Sequence, residues 1–305
     1  MEEFQQNEWD DRVDTDCRAI VRLAVAEDLN EQQDWTTVAL VPADREGAAA
    51  VVARESGVVA GMPAVRVVVE EMSAQVTAEI LVADGDQVSA GQTLLRLQGN
   101  VRDLLTLERT LLNLLARMLG IATLASQYVA EVEGTAARVY DTRKTTPGWR
   151  RLEKYAAHCG GACNHRMGLY DAVLIKDNHL AQRGSAADDA LSAVKDVRSF
   201  LKTQLNHALE GMVVQIEVDT LDQLAAVLTA EPDIVLLDNM SVDELRQAVA
   251  MRDATAPQVQ LEASGGVNLQ TLRKTAETGV ERISVGALTH SARSLDIGLD
   301  WESGE

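Results

Sequence analysis

The sequence predicts an α/β protein in two parts, an N-terminal layer built on an antiparallel sheet and a parallel α/β barrel too short to close in the usual eight units. Three observations carry this reading. From Val139 onward, short β-branched runs alternate with longer amphipathic stretches, the order that gives right-handed crossovers and a parallel sheet. The ends of those runs recur at intervals of 35, 42, 20, 25 and 23 residues, and six such units leave an incomplete barrel. Before residue 100 the pattern is different, with alternating segments separated by glycine turns, as antiparallel strands require.

In the N-terminal part the expected strands lie near 48–54, 74–82 and 93–97, with turns at Asp84-Gly85 and Ala90-Gly91. Apolar residues then recur at 104, 107, 111, 114, 118, 121, 125 and 128. That period predicts one long, largely buried helix over 103–131 that links the two parts. The barrel strands are RVYD ending at Asp141, AVLIK at Lys176, VVQIEV at Val218, IVLLD at Asp238, VQLEA at Ala263 and RISVG at Gly286. Helices are expected over 186–209, 220–230, 241–251 and 268–278, the second and third opened by the capping pairs Thr220 with Gln223 and Ser241 with Glu244.

With 305 residues, 46% of them hydrophobic, the chain can bury a large core. Its net charge of −19 argues against a nucleic-acid partner, which needs a cationic face. No run is long and apolar enough for a membrane span, and the acidic N-terminus fits neither a secretory nor a transit signal, so a cytoplasmic protein is expected. Three cysteines, Cys17, Cys159 and Cys163, are too few for a disulfide framework. His158, Cys159, Cys163 and His165 lie close in sequence, but their irregular spacing in a glycine-rich loop argues against zinc.

Against this acidic background, residues 143–179 hold seven Lys and Arg and three acids. Arg143, Lys144, His165, Arg166 and Lys176 fall on one strand end, the loop that follows and the next strand end, where a barrel keeps its chemistry. Guanidinium forks grip carboxylates bidentately and lysine adds a point charge, so the set suits a small polyanion; a solvated, salt-bridged face is the other reading. Glu217 and Asp238 close the next two strands and suit ribose hydroxyls, a Mg²⁺ ion with its water shell, or pairing with neighbouring cations. Ser264-Gly265-Gly266 and Gly286 follow the last two strands, the usual place for a phosphate cradle. Arg109, Asn113 and Arg117 share a face of the long helix, positions that by themselves read as solvated.

Seven ordered blocks resemble the quinolinate phosphoribosyltransferase family: AEDLNEQQDWTT (26–37), LERTLLNLLARMLGIAT (107–123), DTRKTTPGWRRLEKYA (141–156), NHRMGLYDAVLIKDNH (164–179), LLDNMS (236–241), LEASGGV (261–267) and ISVGALTHS (283–291). The resemblance implies an N-terminal open α/β sandwich with the linking helix over 1–120 and an incomplete, type II phosphoribosyltransferase-like barrel over 121–290. A C-terminal segment, 291–305, would return to the first domain. It also implies a homodimer in which Arg109 reaches the partner's site.

In that family the residues matching Arg109, Arg143, His165, Arg166 and Lys176 hold pyridine dicarboxylate. Those matching Lys144, Glu217, Asp238, Ser264, Gly265, Gly266 and Gly286 surround phosphoribosyl pyrophosphate. Lys144, Glu217 and Asp238 are then the expected catalytic residues, with Glu217 and Asp238 holding Mg²⁺ directly or through water. The implied reaction turns quinolinate and phosphoribosyl pyrophosphate into nicotinate mononucleotide, pyrophosphate and CO₂. A relative acting on nicotinate, or a non-catalytic phosphoribosyl-ligand binder, is the alternative. The number of cations favours two carboxylates over one.

Overall fold

The structure, a computed structural model, describes residues 3–183, 190–204 and 211–302. In chain order its strands are β1 (Glu46–Ala53), β2 (Gly57–Val58), β3 (Val76–Ile80), β4 (Gln87–Val88), β5 (Thr93–Asn100), β6 (Arg138–Tyr140), β7 (Val173–Ile175), β8 (Val214–Val218), β9 (Ile234–Asp238), β10 (Gln260–Ser264), β11 (Arg282–Ser284) and β12 (Ile297–Trp301). Contacts divide the chain into two compact units. The sheet unit comprises Asn7–Ser126, Lys144–Gly161 and Leu288–Glu305, and the ring unit Met1–Gln6, Gln127–Arg143 and Ala162–Ala287. Both units are stitched from separated pieces.

The sheet unit is built on an antiparallel sheet of order β12-β1-β5-β3. β1 buries Ala49–Ala53 between β12 and β5, with a register shift at Val51/Val52. β12, which the sequence reading did not identify as a strand, supplies one edge by pairing Ala49 with Trp301 through Ala53 with Ile297.

The linking helix runs Val101–Glu131, and all eight residues of the expected apolar stripe are buried. Leu112, Leu115, Leu119 and Ala122 widen that stripe, so the helix is covered on most of its circumference. Gly120 has no side chain because the Arg293 carbonyl lies where a Cβ would stand, and there the Leu295 amide donates to the Ala116 carbonyl.

Several helices of this unit were not expected from sequence, among them Asp11–Leu29, Trp35–Leu40, Pro63–Glu71 and Arg150–Cys159. Asp11–Leu29, capped by Asp10 accepting from the Arg12 and Val13 amides, buries only Val13, Cys17 and Val21, a stripe one residue wide. Arg150–Cys159, within what reads as an intervening loop, buries Glu153 and Lys154 among Leu152, Tyr155, Ala156 and Ala157.

The ring unit holds a wholly parallel sheet of order β6-β11-β10-β9-β8-β7. β6 and β7 are the edges and do not pair, so the ring stays open. Beside β6, Cys163 forms a single parallel bridge with Tyr140, its amide donating to the Val139 carbonyl while its carbonyl accepts from Asp141.

Helices Leu221–Leu228 and Val242–Thr255 begin at Thr220 and Ser241 with both expected capping boxes formed. Leu269–Ala276 begins at Asn268 in the same way. Of the helix expected over 186–209, Ala190–Gln204 is seen, and both flanks lie outside the described residues. No helix among the described residues is long and apolar enough to cross a membrane.

The N-terminal segment belongs to the ring, which the sequence did not suggest. Phe4 is 5% exposed and packs with Ala172, Val213 and Ile234, residues at the starts of β7, β8 and β9. It therefore closes the end of the ring where the strands begin. One apolar side chain followed by polar Gln5 and Gln6 makes no periodic signal.

Candidate active site

Parallel strands bring all their C-terminal ends to one rim, and the register fixes which residues meet there. Ser264 on β10 lies opposite Asp238 on β9, and Leu236 opposite both Glu262 and Glu217. Lys176 directly follows β7, whose Ile175 lies opposite Ile216, so Lys176 stands beside Glu217. Its Nζ donates to Glu217 Oε2 at 2.5 Å, the lysine 42% exposed and the glutamate 12%. Arg143 follows β6, and Gly286 follows β11, where the Val285 amide donates to the Tyr140 carbonyl.

The glycine loop has a steric reason. Asn239, Gly265 and Gly266 all adopt positive φ (54°, 89° and 62°). The Asn239 amide donates to the Ser264 carbonyl at 2.9 Å, and its side chain to Asp238 Oδ2 at 2.7 Å. A Cβ on Gly265 would collide with the Asn239 side chain and come within 2.9 Å of its amide nitrogen, whereas a Cβ on Gly266 would meet nothing. Gly265 is therefore required for the two loops to approach, and Gly266 presents bare backbone to open space.

Behind the rim stands a buried polar cluster. Asp141, fully buried, accepts from the His165 amide at 2.8 Å and from Asn164 Nδ2 at 2.6 Å, which fixes the turn carrying His165 and Arg166. His165 and Arg166 are 7% and 6% exposed. Arg166 Nη1 donates to the Ala172 carbonyl at 3.0 Å. Burial, and then the positive charge of Arg143, lower the Arg166 guanidinium from its ordinary value. Two guanidinium groups held within range of each other in a partly dry place are a cost that a bound dianion would offset.

His165 Nε2 lies 3.2 Å from Glu262 Oε1. The other oxygen, Oε2, accepts from Gln215 Nε2 at 3.1 Å and Arg282 Nε at 3.2 Å. Glu262 and Arg282 are completely buried. Burial alone would raise the Glu262 carboxyl, but His165 and Arg282 outweigh it and hold it at about 2.

The sign of the pH dependence follows. A carboxyl depressed from 4.5 contributes stability that is complete above that value and is lost as pH falls toward 2. In acid titration of the protein, Glu262→Gln is expected to remove the part of the stability loss that falls within this window, as read by denaturant midpoint against pH.

The two remaining candidates belong to the sheet unit, and both are exposed: Arg109 on the linking helix and Lys144 just after Arg143. Asn113 is also exposed, but Arg117, expected to be solvated, is not. It donates to Glu153 through Nε (3.2 Å) and Nη2 (2.7 Å), and to the Ala292 and Thr289 carbonyls. Glu153 also accepts from the Thr146 amide at 3.0 Å and its hydroxyl at 2.8 Å, while Thr289 Oγ1 donates to the Lys144 carbonyl at 2.7 Å. The backbone around Lys144 is thus clamped from two sides.

Sequence reasoning missed Asp141, Glu262 and Arg282 as parts of this arrangement. A signal existed for one of them. In Gln260-Leu-Glu-Ala-Ser264 the polar residues recur every second position, so in a buried strand they share one face.

Residues 34–119 match the family model described as quinolinate phosphoribosyl transferase, N-terminal domain, and residues 121–300 match the C-terminal domain of the same family. A protein of Mycobacterium leprae named nicotinate-nucleotide pyrophosphorylase [carboxylating] is 46% identical over 286 residues, covering 93% of this chain and 96% of its own. The solved nicotinate-nucleotide pyrophosphorylase of Francisella tularensis superposes with a TM-score of 0.87 at 32% identity, covering 98% of this chain and all of its own. That of Ehrlichia chaffeensis gives 0.83 at 37%, covering 93% and 98%. With both domains matched in order over nearly the whole length, the chain belongs to the quinolinate phosphoribosyl transferase family.

Proposed function

We propose that this protein transfers the phosphoribosyl group of phosphoribosyl pyrophosphate to quinolinate with decarboxylation, giving nicotinate mononucleotide, pyrophosphate and CO₂ for NAD biosynthesis. The names of its relatives describe the same equilibrium from the product side. The observation that carries the reading is the rim itself, where Arg143 and Lys176, carboxylates at Glu217 and Asp238, and the Ser264-Gly265-Gly266 loop follow or end parallel strands of one sheet, with Arg166 in the loop that leads into β7.

Two charges must be managed. As pyrophosphate departs, the ribose gains oxocarbenium character, and Glu217 and Asp238 stabilise that positive charge while Lys144 neutralises the leaving group. The backbone of Gly265, Gly266 and Gly286 cradles the phosphate that stays on the ribose. Arg143, Arg166 and Lys176 hold the two carboxylates, joined by Arg109. Once the ring nitrogen is alkylated, its positive charge stabilises the electron pair left on the adjacent ring carbon as CO₂ departs, and a proton from water then takes that position. No general-base triad is needed, only positioning and the exclusion of water.

Glu217 and Asp238 also fit a hard divalent cation. Both offer carboxylate oxygens at the rim, on adjacent strands, and neither is sealed in the core. Among the described residues no three or more His, Cys, Asp or Glu side chains gather to hold a metal, which matches an ion that keeps most of its water or shares the donor's phosphates. Glu217 and Asp238 would hold Mg²⁺ there, and the ion would supply charge neutralisation of the pyrophosphate.

The working unit in this proposal is a cytoplasmic homodimer in which Arg109 completes the partner's site. Exposure of Leu169 at 73% and Tyr170 at 60%, just after Arg166, supports an apolar face that a second chain covers. Mixing Arg109→Ala with Lys176→Ala chains, each inactive alone, should then recover part of the activity. No recovery after verified subunit exchange would contradict a shared site.

The test of the reaction is pyrophosphate release from phosphoribosyl pyrophosphate with quinolinate or nicotinate, in Mg²⁺ and in EDTA. Release with quinolinate and Mg²⁺ only is expected. Release with nicotinate alone would move the protein to the other pyridine transferases.

A further inference from the structure

We infer that Glu262 is a positioning residue for dicarboxylate recognition, and that His165 is the lever through which it acts. This rests on the function proposed above. The Arg166 amide donates to His165 Nδ1 at 2.8 Å, so Nδ1 carries a lone pair and the ring proton sits on Nε2. Nε2 faces Glu262 Oε1 at 3.2 Å. Nδ1 is therefore engaged by a hydrogen bond inside the protein, Nε2 stands beside a Glu262 Oε1 that accepts no hydrogen bond among the described residues, and the ring is also covered by Phe4, at 4.4 Å between centroids.

This arrangement fixes the peptide between His165 and Arg166 from three directions. Asp141 holds the His165 amide, His165 Nδ1 holds the Arg166 amide, and Glu262 holds the ring. The Arg166 guanidinium starts from that peptide, so its aim is set by Glu262. Glu262 is in turn fixed by Arg282 and Gln215. Arg282 donates to Glu3 Oε2 at 3.0 Å and Gln260 Oε1 at 3.2 Å, and its guanidinium carbon lies 3.6 Å above the Tyr140 ring. The order Glu3, Arg282, Glu262, His165, Arg166 thus runs from the closed end of the ring to the rim. The N-terminal segment, through Glu3 and Phe4, becomes part of the site's support.

The test compares unaltered protein with Glu262→Gln and with Glu262→Gln/Arg282→Met, the double variant removing both buried charges so that no lone Arg282 is left in the core. Misplacing one substrate ligand by about 1 Å is worth about 100-fold. The expected result is a KM for quinolinate, and a calorimetric Kd for quinolinate without donor, raised about 10- to 100-fold in both variants. The KM for phosphoribosyl pyrophosphate should change by less than about threefold, a split that loss of folded protein would not produce.

On unliganded protein, imidazole ¹⁵N spectra should show His165 protonated on Nε2 only, and that pattern should be lost or mixed in the variants. A quinolinate KM unchanged in the folded double variant, or an unaltered protein whose His165 carries its proton on Nδ1, overturns the inference. If unaltered protein makes no nucleotide from quinolinate, the proposed function fails, while the ring spectra still decide the role of Glu262.

Discussion

Lys176→Ala is expected to lower kcat/KM for quinolinate by about 10²- to 10³-fold while the melting temperature stays near that of the unaltered protein. Lys176 stands at the end of β7 with its Nζ 2.5 Å from Glu217 Oε2 and its side chain 42% exposed. A pair that open to water contributes at most about 1 kcal/mol to folding, so stability should hardly change. In the bound state proposed above, the same ammonium would face both Glu217 and a substrate carboxylate with water largely displaced. Removing one partner of a desolvated charged contact costs about 2–5 kcal/mol. Lys176→Arg should restore little, since a planar fork cannot replace a compact ammonium beside Glu217. Near-normal turnover in the alanine variant, measured by initial rates at several quinolinate concentrations, would remove Lys176 from the site.

Glu153→Ala should produce the largest loss of stability among single substitutions considered. Its carboxylate is completely buried and answers to Arg117, the Thr146 amide and the Thr146 hydroxyl together. Taking it away strands a largely buried guanidinium and two donors in the interior, about 3–5 kcal/mol for a broken buried pair. For a domain of this size that is a fall of about 6–20 °C in Tm by calorimetry. The clamp also orders the backbone on either side of Lys144, so the KM for phosphoribosyl pyrophosphate should rise in whatever fraction remains folded. A Tm within about 2 °C of the unaltered protein would mean the pair contributes no more than a surface bridge.

Much of the ring was legible because its strands are short, apolar and punctuated, and because the residues after them carry the chemistry. The strand ends at Val218, Asp238 and Ala263 fall within one residue of those seen, and both capping boxes form as read. The linking helix was legible for a different reason: its apolar period persists for 25 residues without interruption by proline or glycine pairs.

The parts that escaped share a physical cause, in that their stabilising contacts are distant in sequence. Glu3 meets Arg282, Phe4 meets Ile234, and β12 joins β1, with no local periodicity to announce any of them. Arg117 and Glu153 were hidden by the ordinary expectation that charged helical residues face water. The cationic rim was visible as residue types, but which cations touch a ligand and which stand behind depended on hydrogen-bond geometry. His165 is the example, a ring whose Nδ1 accepts from the Arg166 amide and whose Nε2 lies 3.2 Å from Glu262.

The measurement that tests the account most directly is a single turnover with quinolinate carrying ¹³C in the carboxylate beside the ring nitrogen, in Mg²⁺ and phosphoribosyl pyrophosphate. The account predicts one labelled CO₂ for each pyrophosphate and an unlabelled nicotinate mononucleotide. Label retained in the nucleotide, or pyrophosphate released without labelled CO₂, would contradict it.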